Sequence, residues 1–166
     1  MIVILEGPDK CGKSSFLRNL NIPEIDLCDI DQLKYKASLT GDIAIHSNYG
    51  EDITIFDAAI AASDKYDIYL DRSFISEMIY GPIFRDKCEY SDELIKYFID
   101  KLRNIPHVIM YFHRPLYKVI LDLDKDDPFE CDITKYTRVH TKYRDVMEEL
   151  SDLGLNVYLM NFDFKE

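Results

Sequence analysis

Ile2-Val3-Ile4-Leu5 is an unbroken apolar run, rich in β-branched residues, that stops at Gly7. A run that short, closed by a glycine turn, reads as a strand buried on both faces. Asp67-Ile68-Tyr69-Leu70, His107-Val108-Ile109-Met110-Tyr111-Phe112 and Asn156-Val157-Tyr158-Leu159-Met160 have the same character, and a further short strand is expected around Ile25 to Leu27. Helical stretches lie between them: Lys13 to Leu20, about Ile53 to Ser63, Asp92 to Arg103, Leu116 to Leu121 and Ile133 to Leu150. The last places Ile133, Tyr136, Val139, Tyr143, Val146, Met147 and Leu150 on one face at the helical period, with Asp132 positioned to cap it. Ser91 ahead of Asp92 and Glu93, and Pro115 in a first-turn position, mark two other helix starts. Strands alternating with helices predict a three-layer α/β domain around a central parallel sheet of about five strands with right-handed crossovers. The chain has no repeat, low-complexity tract or Pro/Gly/Ser linker, so residues 1–166 read as one domain.

Composition narrows the function classes. A chain of 166 residues, 47% hydrophobic and 31% charged, can build one real core and is neither a disordered tail nor a fibre. The formal net charge of −11 repels phosphate backbones over most of the surface, which argues against general nucleic-acid coating and leaves only a local basic pocket for an anion. No apolar run approaches the ~18 residues of a membrane span, and the chain turns polar at Glu6, too early for a signal peptide, so a cytoplasmic location is expected. Cys11, Cys28, Cys88 and Cys131 are scattered, as are His46, His107, His113 and His140. Neither set has the spacing of a zinc site, and no disulfide framework is expected.

The chemistry is concentrated just after the first strand. Gly7-Pro8-Asp9-Lys10-Cys11-Gly12-Lys13-Ser14 fits G-x-x-x-x-G-K-[ST] between a buried strand and a helix. In such a loop the glycines let backbone N–H groups wrap phosphate oxygens, and the helix beginning near Lys13 adds its positive end. Residues Gly7 to Ser15 are therefore the candidate ATP site, with Lys13 on the β and γ phosphates and the Ser14 hydroxyl on Mg²⁺. A second signal, Leu70-Asp71-Arg72-Ser73, closes the third predicted strand at the sheet edge where parallel α/β folds bind ligands. Asp71 there can hold the Mg²⁺ shell, and Arg72 can grip a second phosphate in a bidentate fashion. An ordinary glycine turn and a local Asp–Arg salt bridge are the competing readings.

These residues carry a resemblance. Leu5-Glu6-Gly7-Pro8-Asp9-Lys10-Cys11-Gly12-Lys13-Ser14 is similar to the E-G-x-D-x-x-G-K-[ST] opening of thymidylate kinases. Asp71-Arg72-Ser73-Phe74-Ile75-Ser76-Glu77-Met78-Ile79-Tyr80-Gly81 resembles that family's D-R segment, and its Ser73 also resembles the E-R-S motif of deoxynucleoside kinases. Asp127-Pro128-Phe129-Glu130, followed by Val139 and Tyr143, is similar to the family's lid and lid helix. The resemblance, in order along most of the chain, implies a P-loop kinase domain with a short acceptor-binding insertion near residues 21–50 and a lid near 122–131. It also implies roles for single residues: Lys13 and Ser14 on Mg-ATP, Arg72 on the acceptor's phosphate, and Asp9 on the acceptor sugar or the metal waters. Glu6 stays ambiguous, because the matching carboxylate serves nucleoside kinases as a base whereas a monophosphate acceptor needs none. Lys10 stands where one class of thymidylate kinases has a catalytic arginine, and Asp122 to Glu130 contains no arginine that would compete for that role. Tyr80 matches the aromatic that crowds the 2′ position and favours deoxyribose. Phe74, on the same short amphipathic helix, is a candidate to pack against the base; core packing is the alternative for both.

The chain departs from the family at Gly81, where a polar residue is common, and in Phe56-Asp57-Ala58-Ala59-Ile60-Ala61-Ala62, which lacks the family's arginine. The expected activity is Mg-ATP-dependent phosphorylation of a deoxynucleoside monophosphate, dTMP or a related pyrimidine. The alternatives are a deoxynucleoside or modified-pyrimidine kinase and a nucleotide-binding switch. Expected partners are small nucleotide substrates, with no long nucleic acid and no membrane, and a homodimer is left open. The composition is compatible with a phage source.

Overall fold

The computed structural model describes residues 1–25, 38, 41–46, 52–122 and 132–161. At its centre lies β1 (Ile2–Glu6), whose five residues are all buried. Parallel neighbours flank it on both sides, β4 (Ile68–Asp71) with Ile2 opposite Ile68 and β5 (His107–His113) with Ile2 opposite His107. Beyond β4 come β3 (Ile43–His46) and β2 (Glu24–Ile25), and beyond β5 comes β6 (Val157–Asn161). The order is β2-β3-β4-β1-β5-β6, a six-stranded sheet with every pairing parallel. The chain leaves β1 for the far edge, returns to β4, then crosses to β5 on the opposite side of β1. That reversal opens a crevice at the C-terminal ends of β4, β1 and β5.

β3 is the strand the sequence pattern did not single out. Its Ile43, Ala44 and Ile45 have no exposed surface, but a run of four residues carries too little periodicity to separate it from loop. It falls within the expected insertion at 21–50, most of which, like the remainder of the predicted Ile25–Leu27 strand, lies outside the described residues. The residues of the expected lid after Asp122, up to Cys131, lie outside them as well.

The helices are α1 (Lys13–Asn19), α2 (Asp52–Ala62), α3 (Phe74–Phe84), α4 (Asp92–Arg103), α5 (Leu116–Leu121) and α6 (Ile133–Asp152). Ser91 caps α4 by accepting from the Leu94 amide at 3.3 Å. Asp132 caps α6 through the Thr134 and Lys135 amides at 3.0 and 3.1 Å. Pro115 sits one step earlier than expected, at the N-cap of α5. Ile133, expected on the buried face of α6, is exposed, because burial begins a turn later at Tyr136.

Alternation along β1 sorts the core into two layers. Ile2 and Ile4 pack with α2, α3, α4 and α6 through residues such as Phe56, Phe74, Phe98 and Val139. Val3 and Leu5 face α1 and α5 through Leu17 and Val119, with Phe112 and Tyr136 in the same cluster. The three-layer architecture follows from that alternation. Among the described residues no helix is long and apolar enough to cross a membrane.

Candidate active site

The phosphate loop leaves β1 at its C-terminal end. Gly7 has φ 144°, and a Cβ there would run into the carbonyl oxygen of Phe112 on β5, so only glycine lets the two backbones approach this closely. Gly12, at φ 101°, is the N-cap of α1 and offers no side chain, so the first amides of α1 are not capped from that residue. Lys10 also adopts a left-handed conformation, φ 61°. The Lys13 ammonium donates to the carbonyl oxygens of Gly7 at 2.7 Å and Pro8 at 3.0 Å, tying the ends of the loop together. Burial, reinforced by the nearby Arg72 cation, lowers the Lys13 pKa to about 8.

A cleft of about 700 Å³ opens over the loop, a size suited to a nucleotide. Its walls are Asp9, Lys10, Cys11, Gly12, Lys13, Ser14, Ser15, Arg18, Asp71, Arg72, Arg114 and Asp122. Five of these side chains are cationic and three are acidic, so the cleft reverses the charge balance of a chain with net charge −11. Ser14, exposed, and Asp71, only 4% exposed, lie on the walls of the same cleft. Cys11 is buried, and its thiol is pushed up to about 11 by that burial, so it stays protonated and unreactive.

One flank of the cleft is a polar network built on Arg72. This residue directly follows β4 at φ 77°, with its amide bonded to the Leu5 carbonyl at 3.1 Å. Its guanidinium pairs with Asp9, donates to Ser76 Oγ at 3.2 Å and Tyr143 Oη at 3.3 Å, and lies 5.0 Å from the Tyr80 ring centroid. Although burial opposes its charge, the surrounding Tyr143, Tyr80, Asp9 and Glu6 hold Arg72 firmly protonated. Burial likewise opposes the charge of Asp9, but Arg72 and then Lys13 outweigh it and keep the carboxyl below its usual range. Tyr80 Oη completes the arrangement by donating to Asp9 Oδ2 at 3.2 Å.

Glu6 lies beneath this network with no exposed surface. Its Oε1 accepts from the Ser73 amide at 2.7 Å and Ser73 Oγ at 2.8 Å. Its Oε2 accepts from Ser76 Oγ at 2.8 Å and Tyr143 Oη at 3.0 Å. Burial raises its pKa against the pull of Arg72 and these hydrogen bonds. The carboxylate thus anchors the first turn of α3, whose cap is Ser73, and it is not part of the cleft wall. Phe74 is also off the wall of the main cleft. It is 1% exposed, stacked on Phe98 with centroids 4.8 Å apart, and edge-on to Phe56 at 6.2 Å. Its ring belongs to the core, which is where an apolar residue in the first turn of α3 packs against α2 and α4. Tyr80 is 5% exposed and reaches the cleft through Asp9, with its ring stacked on Phe84 at 5.8 Å.

The remaining expected residues, Asp9 to Ser15 together with Asp71 and Arg72, meet in the cleft, while Gly7 and Pro8 supply the carbonyls that receive Lys13. Arg18 and Arg114 were not singled out from the sequence, and Ser76 and Asp122 figured there only within the D-R segment and at the start of the expected lid. Arg114 had a usable signal: it directly follows β5, at the same sheet edge that drew attention to Arg72. Arg18 lies one turn after Ser14 on α1 and bonds its carbonyl at 3.2 Å.

A strand-loop-helix phosphate loop facing an Asp-Arg strand end on an all-parallel sheet defines the P-loop kinase-like fold of thymidylate and deoxynucleoside kinases. No family model matches the chain, and no curated protein matches it in sequence. Among solved structures it is similar to the YorR protein from Bacillus subtilis in complex with phosphorylated GDP, at 22% identity and TM-score 0.61 over 97% of this chain and 85% of that one. It is similar to thymidylate kinase from Ehrlichia chaffeensis at 12% identity and TM-score 0.55, over 99% and 88% of the two chains. Deoxyadenosine kinase from M. mycoides, with the products dCMP and dCDP bound, gives 14% and 0.51 over 96% and 90%.

Proposed function

We propose that the protein is a kinase that transfers the γ-phosphoryl group of Mg-ATP to a deoxynucleoside monophosphate, dTMP or a related pyrimidine nucleotide, in the cytoplasm. The observation that carries this reading is that Lys13 and Ser14 of the loop line one cleft together with Arg72, whose guanidinium is suited to a second phosphate. The donor's β and γ phosphates lie on the loop amides and Lys13, and Lys10 offers a further cation where charge spreads over the migrating group. The acceptor phosphate approaches from the Arg72 side, and the aromatic ring of Tyr80 shapes the sugar site. Ser14 and Asp71 are the residues that would hold Mg²⁺. They bring a hydroxyl and a carboxylate to the same cleft, the oxygen donors that a hard divalent cation takes. Held there, Mg²⁺ would supply neutralisation of the charge that develops on the migrating group.

The burial of Glu6 favours a monophosphate acceptor. Sealed under α3 with both oxygens occupied, it has no path to a 5′-hydroxyl, and an acceptor phosphate is nucleophilic without a base. A second reading, a deoxynucleoside acceptor, draws support from Arg72, whose charge is already matched by Asp9 and which an incoming phosphate would have to recruit from that pair. Incubating the protein with Mg-ATP and a panel of nucleosides and nucleoside monophosphates separates them. The expected result is a diphosphate product from a pyrimidine deoxynucleotide. Phosphorylation of nucleosides alone would establish the second reading.

A further inference from the structure

The C-terminal end of β5 is bound to the phosphate loop residue by residue. Gly7 lies against the Phe112 carbonyl, and the Arg114 backbone amide hydrogen-bonds the Cys11 thiol. The Arg114 guanidinium donates to the carbonyl oxygen of Lys10 at 3.4 Å and forms an ion pair with Asp122, the C-cap of α5. Arg114 and Asp122 both line the cleft that holds Lys13 and Ser14. Their surroundings differ, for the Arg114 side chain is only 13% exposed whereas that of Asp122 is 50% exposed.

We infer that Arg114 is a donor-binding residue and that Asp122 competes with the triphosphate for its guanidinium. This rests on the reading of the loop as a nucleoside triphosphate site. A largely buried guanidinium needs an anionic partner, and a planar fork serves a phosphate in a bidentate fashion as well as it serves a carboxylate. A triphosphate on the loop brings several negative charges into the same cleft. The Arg114 guanidinium stays beside the loop, where it also bonds the Lys10 carbonyl and is largely buried; Asp122 can turn into water at little cost because half of it is already solvated. Donor binding therefore exchanges one partner of Arg114 for another, and Asp122 competes with the nucleotide.

The consequence is a thermodynamic cycle measurable without any acceptor. Affinity for a fluorescent N-methylanthraniloyl ATP with Mg²⁺ is titrated on the wild-type protein and on Arg114→Ala, Asp122→Asn, the double variant and Arg114→Lys, with thermal melting of each to establish folding. Arg114→Ala is expected to weaken binding by roughly tenfold or more, the size of a lost charged hydrogen bond, and Arg114→Lys by less. Asp122→Asn is expected to tighten binding severalfold, and that gain is expected to vanish in the Arg114→Ala background. A gain that persists without Arg114 would reveal only general repulsion by Asp122 and would overturn the exchange. Wild-type affinity in both folded Arg114 variants, while Lys13→Ala loses binding, would overturn the inference and leave the triphosphate site standing. Absence of binding by the wild-type protein would overturn both. If Arg114→Ala fails to fold, Arg114→Lys and Asp122→Asn carry the same decision.

Discussion

Lys13 carries a charge whose strength depends on its partners. Its ammonium is buried against the Gly7 and Pro8 carbonyls, and its pKa falls to about 8. Phosphate oxygens favour the charged form and move the pKa back up on binding, so nucleotide binding takes up a proton above pH ~8. Affinity for Mg-ATP is accordingly expected to be flat below that pH and to decline above it. Calorimetric titration at pH 8.5 to 9 in two buffers of different ionisation enthalpy reads the proton directly, and zero uptake would mean that Lys13 does not face the phosphates. Lys13 was legible from the motif because spacing alone specifies it. Tyr143 was legible only as a position in a helical stripe and a lid-helix match, and its bonds to Glu6 and Arg72 join residues 137 and 71 positions apart. No local pattern records a contact of that kind.

Among the elements, α3 couples the core to the chemistry. Its first turn is fixed from below by Glu6 and Ser73, its apolar face by Phe74, and Ser76 and Tyr80 then extend the Arg72–Asp9 network. The helix contains Gly81 and Pro82, which blur its periodicity and explain why the sequence marks it faintly compared with α4 or α6. Because Phe74 stacks on Phe98 inside the aromatic cluster, Phe74→Ala is expected to lower the unfolding free energy by about 3–5 kcal/mol in a urea titration. A loss below about 1 kcal/mol together with a strongly raised acceptor KM would instead put the ring at the base. β3 was lost to sequence reading because Ile43-Ala44-Ile45-His46 is only four residues long, too short for a period to show.

For the whole molecule, the sheet order does what the motifs alone cannot. It brings the ends of β1, β4 and β5 to one edge, so that the phosphate loop, Arg72 and Arg114 converge although they are distant in sequence. The alternation of apolar runs with helical stripes was enough to anticipate the parallel three-layer architecture, because each layer buries a face whose period is written locally. The convergence of charge was not, since a chain of net charge −11 conceals a cleft with five cationic side chains. Transfer from that cleft to an acceptor is the central claim, and the most direct measurement follows ADP and deoxynucleoside diphosphate together, with Mg-ATP and a pyrimidine deoxynucleotide, for the wild-type protein and a folded Lys13→Ala variant. The two products are expected in equal amounts from the wild-type protein and at least about a thousandfold more slowly from the variant. ADP released without a phosphorylated acceptor, or a Lys13→Ala variant that turns over like the wild-type protein, would contradict it.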